Sequence, residues 1–254
     1  NLINKIFAIQ SEAEFEQAAL DIFHYQSKEN PVYKDYISSL GKTSQPILKL
    51  KDIPFLPIDF FKNHEIKTSG NAPEKIFYSS GTTNQTRSKH FINDLSLYRQ
   101  SFRKSFELFY NDVKDYVIIA LLPSYLENQS SSLVYMAEDL INLSENAGSG
   151  FYLNDLESLH KKIISLQKSS KKILLLGVSF ALLDFAEKFP GNYKNLIVME
   201  TGGMKGRRKE MTREELHTEL KNGLGLETIH SEYSMTELLS QAYSKGEGIF
   251  NCPP

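Results

Sequence analysis

The sequence is almost without cysteine and wholly without tryptophan, with one Cys and no Trp in 254 residues. A single thiol excludes an internal disulfide framework and fits a reducing compartment, so the cytoplasm is the expected location. No apolar run approaches the ~20 residues that span a bilayer, which argues against integral membrane contact. The opening NLINKIFAIQ lacks the basic, apolar and small-residue order of a secretory signal. Charge of one sign does not prevail either. Lys and Arg number 29 against 31 Asp and Glu, a formal net charge of -2, so no basic footprint for nucleic acid is expected. The six histidines show no spacing such as H-E-x-x-H, and a protein-held zinc site is not expected.

What is present suffices for a globular fold. Hydrophobic residues make up 41%, enough at this length for a sizeable core without staples. The first segment reads helical, because Ser11 and Glu14 form a capping-box pattern ahead of Phe15, Ala19, Ile22 and Phe23 on one helical face. Pro46, Pro54 and Pro57 then lie too close together for a helix. From Ile76 onward short β-rich apolar runs alternate with amphipathic segments. Strands are expected around Phe77, Ile118, Leu174, Val198 and Ile229, and helices after Asn93, Asn128, Asn154, Val178 and Thr212. Such alternation predicts an α/β fold with layered, mostly parallel sheets flanked by helices. Residues 1–75 are expected to form a helical and irregular segment packing on the core, and residues 76–254 one α/β nucleotide-binding region. Ligands of such sheets sit beyond the carboxyl ends of the strands.

Three segments fall at or just past those ends. The first, Tyr78-Ser79-Ser80-Gly81-Thr82-Thr83-Asn84-Gln85-Thr86-Arg87-Ser88-Lys89-His90, is read as a strand-to-helix loop. Its hydroxyls, backbone N–H groups and two cations suit phosphate oxygens, although a solvated turn has the same composition. It is neither a Walker A loop nor a G-x-S-x-G elbow, which disfavours phosphotransfer of the P-loop kind and serine hydrolysis. The second, His230-Ser231-Glu232-Tyr233-Ser234-Met235-Thr236-Glu237, brings together an aromatic face, a hydroxyl and a carboxylate. These suit a purine, a phosphate oxygen and a hard cation respectively. The third, Met199-Glu200-Thr201-Gly202-Gly203-Met204, is a glycine-rich turn.

SSGTT followed by a lysine, with Tyr-x-x-Thr-Glu far downstream, resembles the adenylate-forming superfamily of acyl-CoA synthetases, adenylation domains and luciferases. The fuller string SSGTT-x-x-x-x-SKH resembles its acyl-protein synthetase branch, the fatty-acid-activating component of bacterial bioluminescence, related to phenylacetate-CoA ligases. The resemblance runs from about Ile53 onward. Asn84 stands where the superfamily usually has glycine, and the lysine falls later than in most members, which leaves Arg87 and Lys89 as rival phosphate partners. By resemblance, Ser79, Ser80, Gly81, Thr82 and Thr83 bind the nucleotide, and Thr82, Lys89 and Glu237 serve catalysis. Gly202 and Gly203 lie against the adenine edge, Tyr233 stacks on adenine, Thr236 contacts the α-phosphate and Glu237 holds Mg²⁺. Ser179 and Phe180 are expected to border the acyl pocket, an ordinary helix start being the alternative.

The resemblance implies a ligase that uses ATP and Mg²⁺ to convert a carboxylic acid, a fatty acid in that branch, to an acyl-adenylate with release of pyrophosphate. The acyl group then passes to a protein cysteine and on to an acyl-reductase partner. Cys252 is not that cysteine, because the family's acceptor lies near the end of the full-length protein. An aryl- or acyl-CoA ligase is the alternative enzyme, and a non-catalytic adenylate-binding or docking module the alternative of another class. The superfamily's ribose-holding aspartate and its C-terminal lysine have no match before Pro254, so the chain is expected to continue and to be incomplete as a catalyst.

Overall fold

Local sequence decides most element boundaries in the computed structural model, which describes residues 2–42, 46–68, 70, 72–80, 86–123, 130–204 and 206–253. Helix α1 (Leu2–Ile6) precedes α2 (Glu12–Glu29). Ser11 caps α2 by accepting from the Glu14 N–H at 3.3 Å, while the Glu14 carboxylate reaches the N–H of Gln10 at 2.8 Å. The return bond of the expected capping box thus lands one residue early. Asn30 caps α3 (Pro31–Ser39), which opens on a proline where an N–H would have no partner. The proline-rich stretch holds a 3-10 turn, Leu50–Asp52, and the one-turn α4 (Phe60–Asn63). Then follow β1 (Lys75–Tyr78), β2 (Lys89–Ile92), α5 (Leu95–Tyr110), β3 (Tyr116–Leu121), α6 (Ser132–Leu143), β4 (Gly150–Tyr152) and α7 (Leu156–Leu166). The last are β5 (Lys172–Gly177), α8 (Ser179–Lys188), β6 (Leu196–Glu200), α9 (Arg213–Leu224), β7 (His230–Tyr233) and β8 (Ala242–Ser244).

These elements group into two compact units, one holding Asn1–Ser101 with Met235–Leu239, the other Phe102–Ser234 with Ser240–Pro253. In the first unit Phe23, Tyr33, Ile37 and Ile47 form a small core. The Tyr33 hydroxyl donates to the Pro54 carbonyl at 2.8 Å, and that of Tyr36 to the Phe55 carbonyl at 3.2 Å. Two phenols thereby satisfy carbonyls between the 3-10 turn and α4, where the prolines interrupt regular structure. β1 and β2 pair antiparallel, from Lys75 opposite Ile92 to Tyr78 opposite Lys89. The Ser/Thr-rich loop therefore joins two strands of a hairpin, not a strand and a helix as the sequence suggests. Four residues of β2 are too few to display a period of two.

The second unit is built on a six-stranded sheet in the order β4-β3-β5-β6-β7-β8. All neighbouring pairs are parallel except β7 with β8. β3 is buried throughout and β5 from Ile173 onward, as inner parallel strands covered on both faces must be. The α/β class, with a mostly parallel sheet flanked by helices, is as the sequence predicts. β4 and β8, three residues each, escape the pattern. Among the described residues no helix is long and apolar enough to cross a membrane.

Candidate functional site

In the first unit the hairpin opens onto a cavity of about 250 Å³ lined by Ile58, Asp59, Lys62, Ser79, Ser80, Thr86, Arg87, Ser88, Met235 and Glu237. The hairpin is pinned at its mouth. The Ser79 N–H donates to the Ser88 carbonyl at 3.1 Å, and the Ser88 N–H donates to Ser79 Oγ at 2.9 Å. Arg87 Nε donates to the Ser79 carbonyl at 2.5 Å, with the guanidinium 5.5 Å from the centre of the Tyr78 ring. Cation–π contact and hydrogen bond together fix this cation at the base of the loop.

His90 joins the other two segments to the hairpin. Its Nδ1–H donates to the Thr236 carbonyl at 2.8 Å, which holds the turn carrying Glu237. Its ring meets Phe61 edge to face, at 5.4 Å and 84°, which holds α4. Burial keeps the His90 ring below the usual imidazole range, against the Thr236 bond and the charge of Glu237, both of which act to raise it. A neutral ring with a committed Nδ1–H is the form that makes both contacts. α4 is also held from behind, with Phe60 against Tyr36 at 5.5 Å. Lys62 Nζ lies 2.7 Å from the Asp59 carboxylate.

In the second unit a different cluster shapes the glycine turn after β6. Glu200 is 2% exposed. Its Oε2 accepts from the Gly202 N–H at 2.7 Å, while Oε1 lies 3.2 Å from Arg213 Nε and 3.5 Å from His217 Nε2. Burial alone would push this carboxyl up. Bonds from His217, Ser231 and the Gly202 N–H, with the charge of Arg213, outweigh it and hold the group at about 2. Gly202 and Gly203 both take positive φ, 72° and 91°. A Cβ on Gly202 would meet nothing within 4 Å, so glycine is required there by the backbone and not by crowding. The turn is knit to the end of β5 as well: the Ser179 N–H donates to the Gly202 carbonyl at 3.2 Å and the Thr201 N–H to that of Gly177 at 3.0 Å.

The residues singled out by sequence divide between the two units. Ser79, Ser80 and Glu237 line the cavity of the first, and Thr236 is held beside it through its backbone. Lys89 is exposed on β2 and is not among the lining residues, whereas Arg87 is. Gly81, Thr82, Thr83 and Asn84 lie outside the described residues. In the second unit Ser179 is bonded to Gly202 as above, and Phe180 is buried with the Arg207 guanidinium 4.9 Å from its ring centre. Tyr233 ends β7 with 49% of its surface exposed and its ring 6.0 Å from Phe250. Sequence reasoning missed Asp59 and Lys62, and quoted His90 and Glu200 within their segments without giving either a role. The first two sit in a stretch with no readable period, and the others look like ordinary strand residues. Set against protein-family models and against curated proteins, the chain matches none of them.

Proposed function

We propose that the chain is the nucleotide-binding part of an adenylate-forming ligase of the acyl-protein synthetase type, activating a carboxylic acid, by resemblance a fatty acid, with ATP. The observation that carries this reading is that one cavity is lined by Ser79, Ser80, Thr86, Arg87 and Glu237, from two motifs far apart in sequence. In the proposed step a carboxylate oxygen attacks the α-phosphorus, the bond to the bridging oxygen breaks, and pyrophosphate leaves. Two anions must meet, so neutralisation by Arg87 and Lys62 and donation from hydroxyls and backbone N–H groups carry the catalysis. No protein nucleophile or base is needed. Mg²⁺, when bound, supplies further neutralisation of the phosphates.

The donor set fits such a metal. Asp59 and Glu237 offer carboxylates to the cavity. Among the described residues no group of three or more His, Cys, Asp or Glu could hold an ion alone. A magnesium bound by one or two carboxylates and completed by phosphate oxygens needs no more. By resemblance Tyr233, half-exposed at the end of β7, stacks on a purine, and Gly202 and Gly203 lie against its edge. By resemblance the acyl group next passes to a protein cysteine and then to an acyl-reductase partner.

Calorimetric titration with Mg·ATP and with stable acyl-adenylate mimics of increasing chain length tests the proposal. Binding with a preferred aliphatic length, weakened in Thr82→Ala and Glu237→Ala, is expected. An aryl preference transfers the reading to the coenzyme A ligase alternative. No adenylate binding by the folded chain, or affinities unchanged in both variants, refutes it.

A further inference from the structure

Among the described residues two cations line the cavity, and they differ in commitment. Arg87 is bonded to the Ser79 carbonyl and packed on Tyr78. Among the described residues Lys62 is paired with Asp59, three residues back, and the two side chains are 46% and 72% exposed. An exposed pair of this kind holds weakly and is screened by salt, so an arriving polyanion can take the lysine from it. The hydrogen bond and charge of Asp59, with the charge of Glu237, keep Lys62 above its ordinary range, so it stays cationic at any physiological pH.

The position of Lys62 is built rather than incidental. Phe60 and Phe61, its neighbours on α4, are clamped by Tyr36 and by His90, and His90 also holds the turn that carries Glu237. The loop residues between Ser80 and Thr86, GTTNQ, contain no cation. Lys89 is exposed on β2 and does not line the cavity. Among the described lining residues the cation beyond Arg87 is Lys62, on α4.

We infer that Lys62 builds a polyphosphate subsite, leaving Asp59 to bind the β- and γ-phosphates and the pyrophosphate that they become. The inference rests on the adenylate-forming reading for the identity of the nucleotide. It makes the proline-rich segment before the hairpin part of the binding site and not packing alone. Asp59 and Glu237 share the cavity, so the polyanion binds as its magnesium complex and poorly without the metal.

The test compares three probes by calorimetry on the full chain: Mg·pyrophosphate, Mg·ATP, and an acyl-sulfamoyl adenosine that lacks the β- and γ-phosphates. Lys62→Met is expected to weaken pyrophosphate and ATP about tenfold, the value of one charge-assisted contact, and to leave the sulfamoyl mimic within about twofold. Lys62→Arg restores most of the loss. Unchanged pyrophosphate affinity in Lys62→Met overturns the subsite, as does an equal loss for the mimic, which would mark a purely structural role. Loss of pyrophosphate binding in Lys89→Met but not in Lys62→Met also overturns it. Wild-type chain that binds pyrophosphate through Lys62 but no adenylate keeps the subsite and rejects the acid-activation reading. Wild-type chain that binds no pyrophosphate rejects the subsite whatever the mimic does.

Discussion

Glu200 gives the sharpest physical test of the second unit, through Glu200→Gln. The substitution keeps shape and removes charge. The carboxyl falls from 4.5 to about 2 on folding, a drop that corresponds to ~3 kcal/mol of preference for the charged form at ~1.4 kcal/mol per pH unit. Arg213, one source of that preference, is 44% exposed on its side chain, so its share is screened and ~2 kcal/mol is the better expectation at pH 7. The sign follows from a depressed pKa. The contribution is complete above 4.5, where the unfolded chain is already ionised, and disappears as pH falls through about 2. Urea unfolding followed by far-UV circular dichroism should show the variant ~2 kcal/mol less stable at pH 7, with the gap narrowing below pH ~4.5. Hydrogen exchange adds a local readout, since the Gly202 N–H loses a charged acceptor at 2.7 Å and should exchange faster. Equal stability at pH 7, or a gap that stays constant down to pH ~3, refutes the assignment of that stability to the Glu200 charge.

Glu232 should behave oppositely. Burial raises its carboxyl to about 7, helped by the charge of Glu200 and opposed by Ser234. The folded state thus keeps a proton that the unfolded state releases from 4.5 upward, and stability falls as pH rises from there through about 7. Glu232→Gln should flatten that decline and leave the variant more stable than wild type at pH 8, as read by thermal unfolding; a steeper decline counts against the buried-proton picture. Gly202→Ala should cost ~1–2 kcal/mol from the left-handed backbone alone, and Gly202→Asn less, because asparagine tolerates that region and no neighbour crowds a side chain there. Equal stability of all three forms would mean that the turn relaxes. His90→Ala should cost ~1–3 kcal/mol, weaken Mg·ATP binding, and speed exchange at 235–239, since it removes both the Thr236 bond and the Phe61 contact. Unaltered exchange there would assign the turn's placement to other contacts.

The α/β class was legible because its determinants are local. Runs such as YVIIAL and KILLLG announce buried parallel strands by continuous apolarity, and Thr212 with Glu215 marks the start of α9 by hydrogen bonds that span a single turn. The glycine turn was legible for a similar reason, as Gly202 and Gly203 occupy positions where positive φ excludes most side chains. Short edge strands such as β2, β4 and β8 were not, since three or four residues carry no period and pair only with neighbours brought by the rest of the chain. The cavity belongs to the same class of fact. Sequence marked Ser79, Ser80 and Glu237 as chemical types and left Arg87 and Lys89 as rivals; the fold puts Arg87 in the lining, held by the Ser79 carbonyl and the Tyr78 ring, and leaves Lys89 outside it. Lys62 and Asp59 reach it on an α4 held by Phe61 against His90 and by Phe60 against Tyr36, and Glu237 is held nearby because the same imidazole bonds the Thr236 carbonyl. Glu200 likewise acquires its role from His217 and Arg213 on α9 and from Ser231 on β7, beside the local Gly202 N–H. Sequence by itself determined which groups could bond to near neighbours along the chain; tertiary structure decided which distant charges share a low-dielectric space, where their interactions become strong enough to matter.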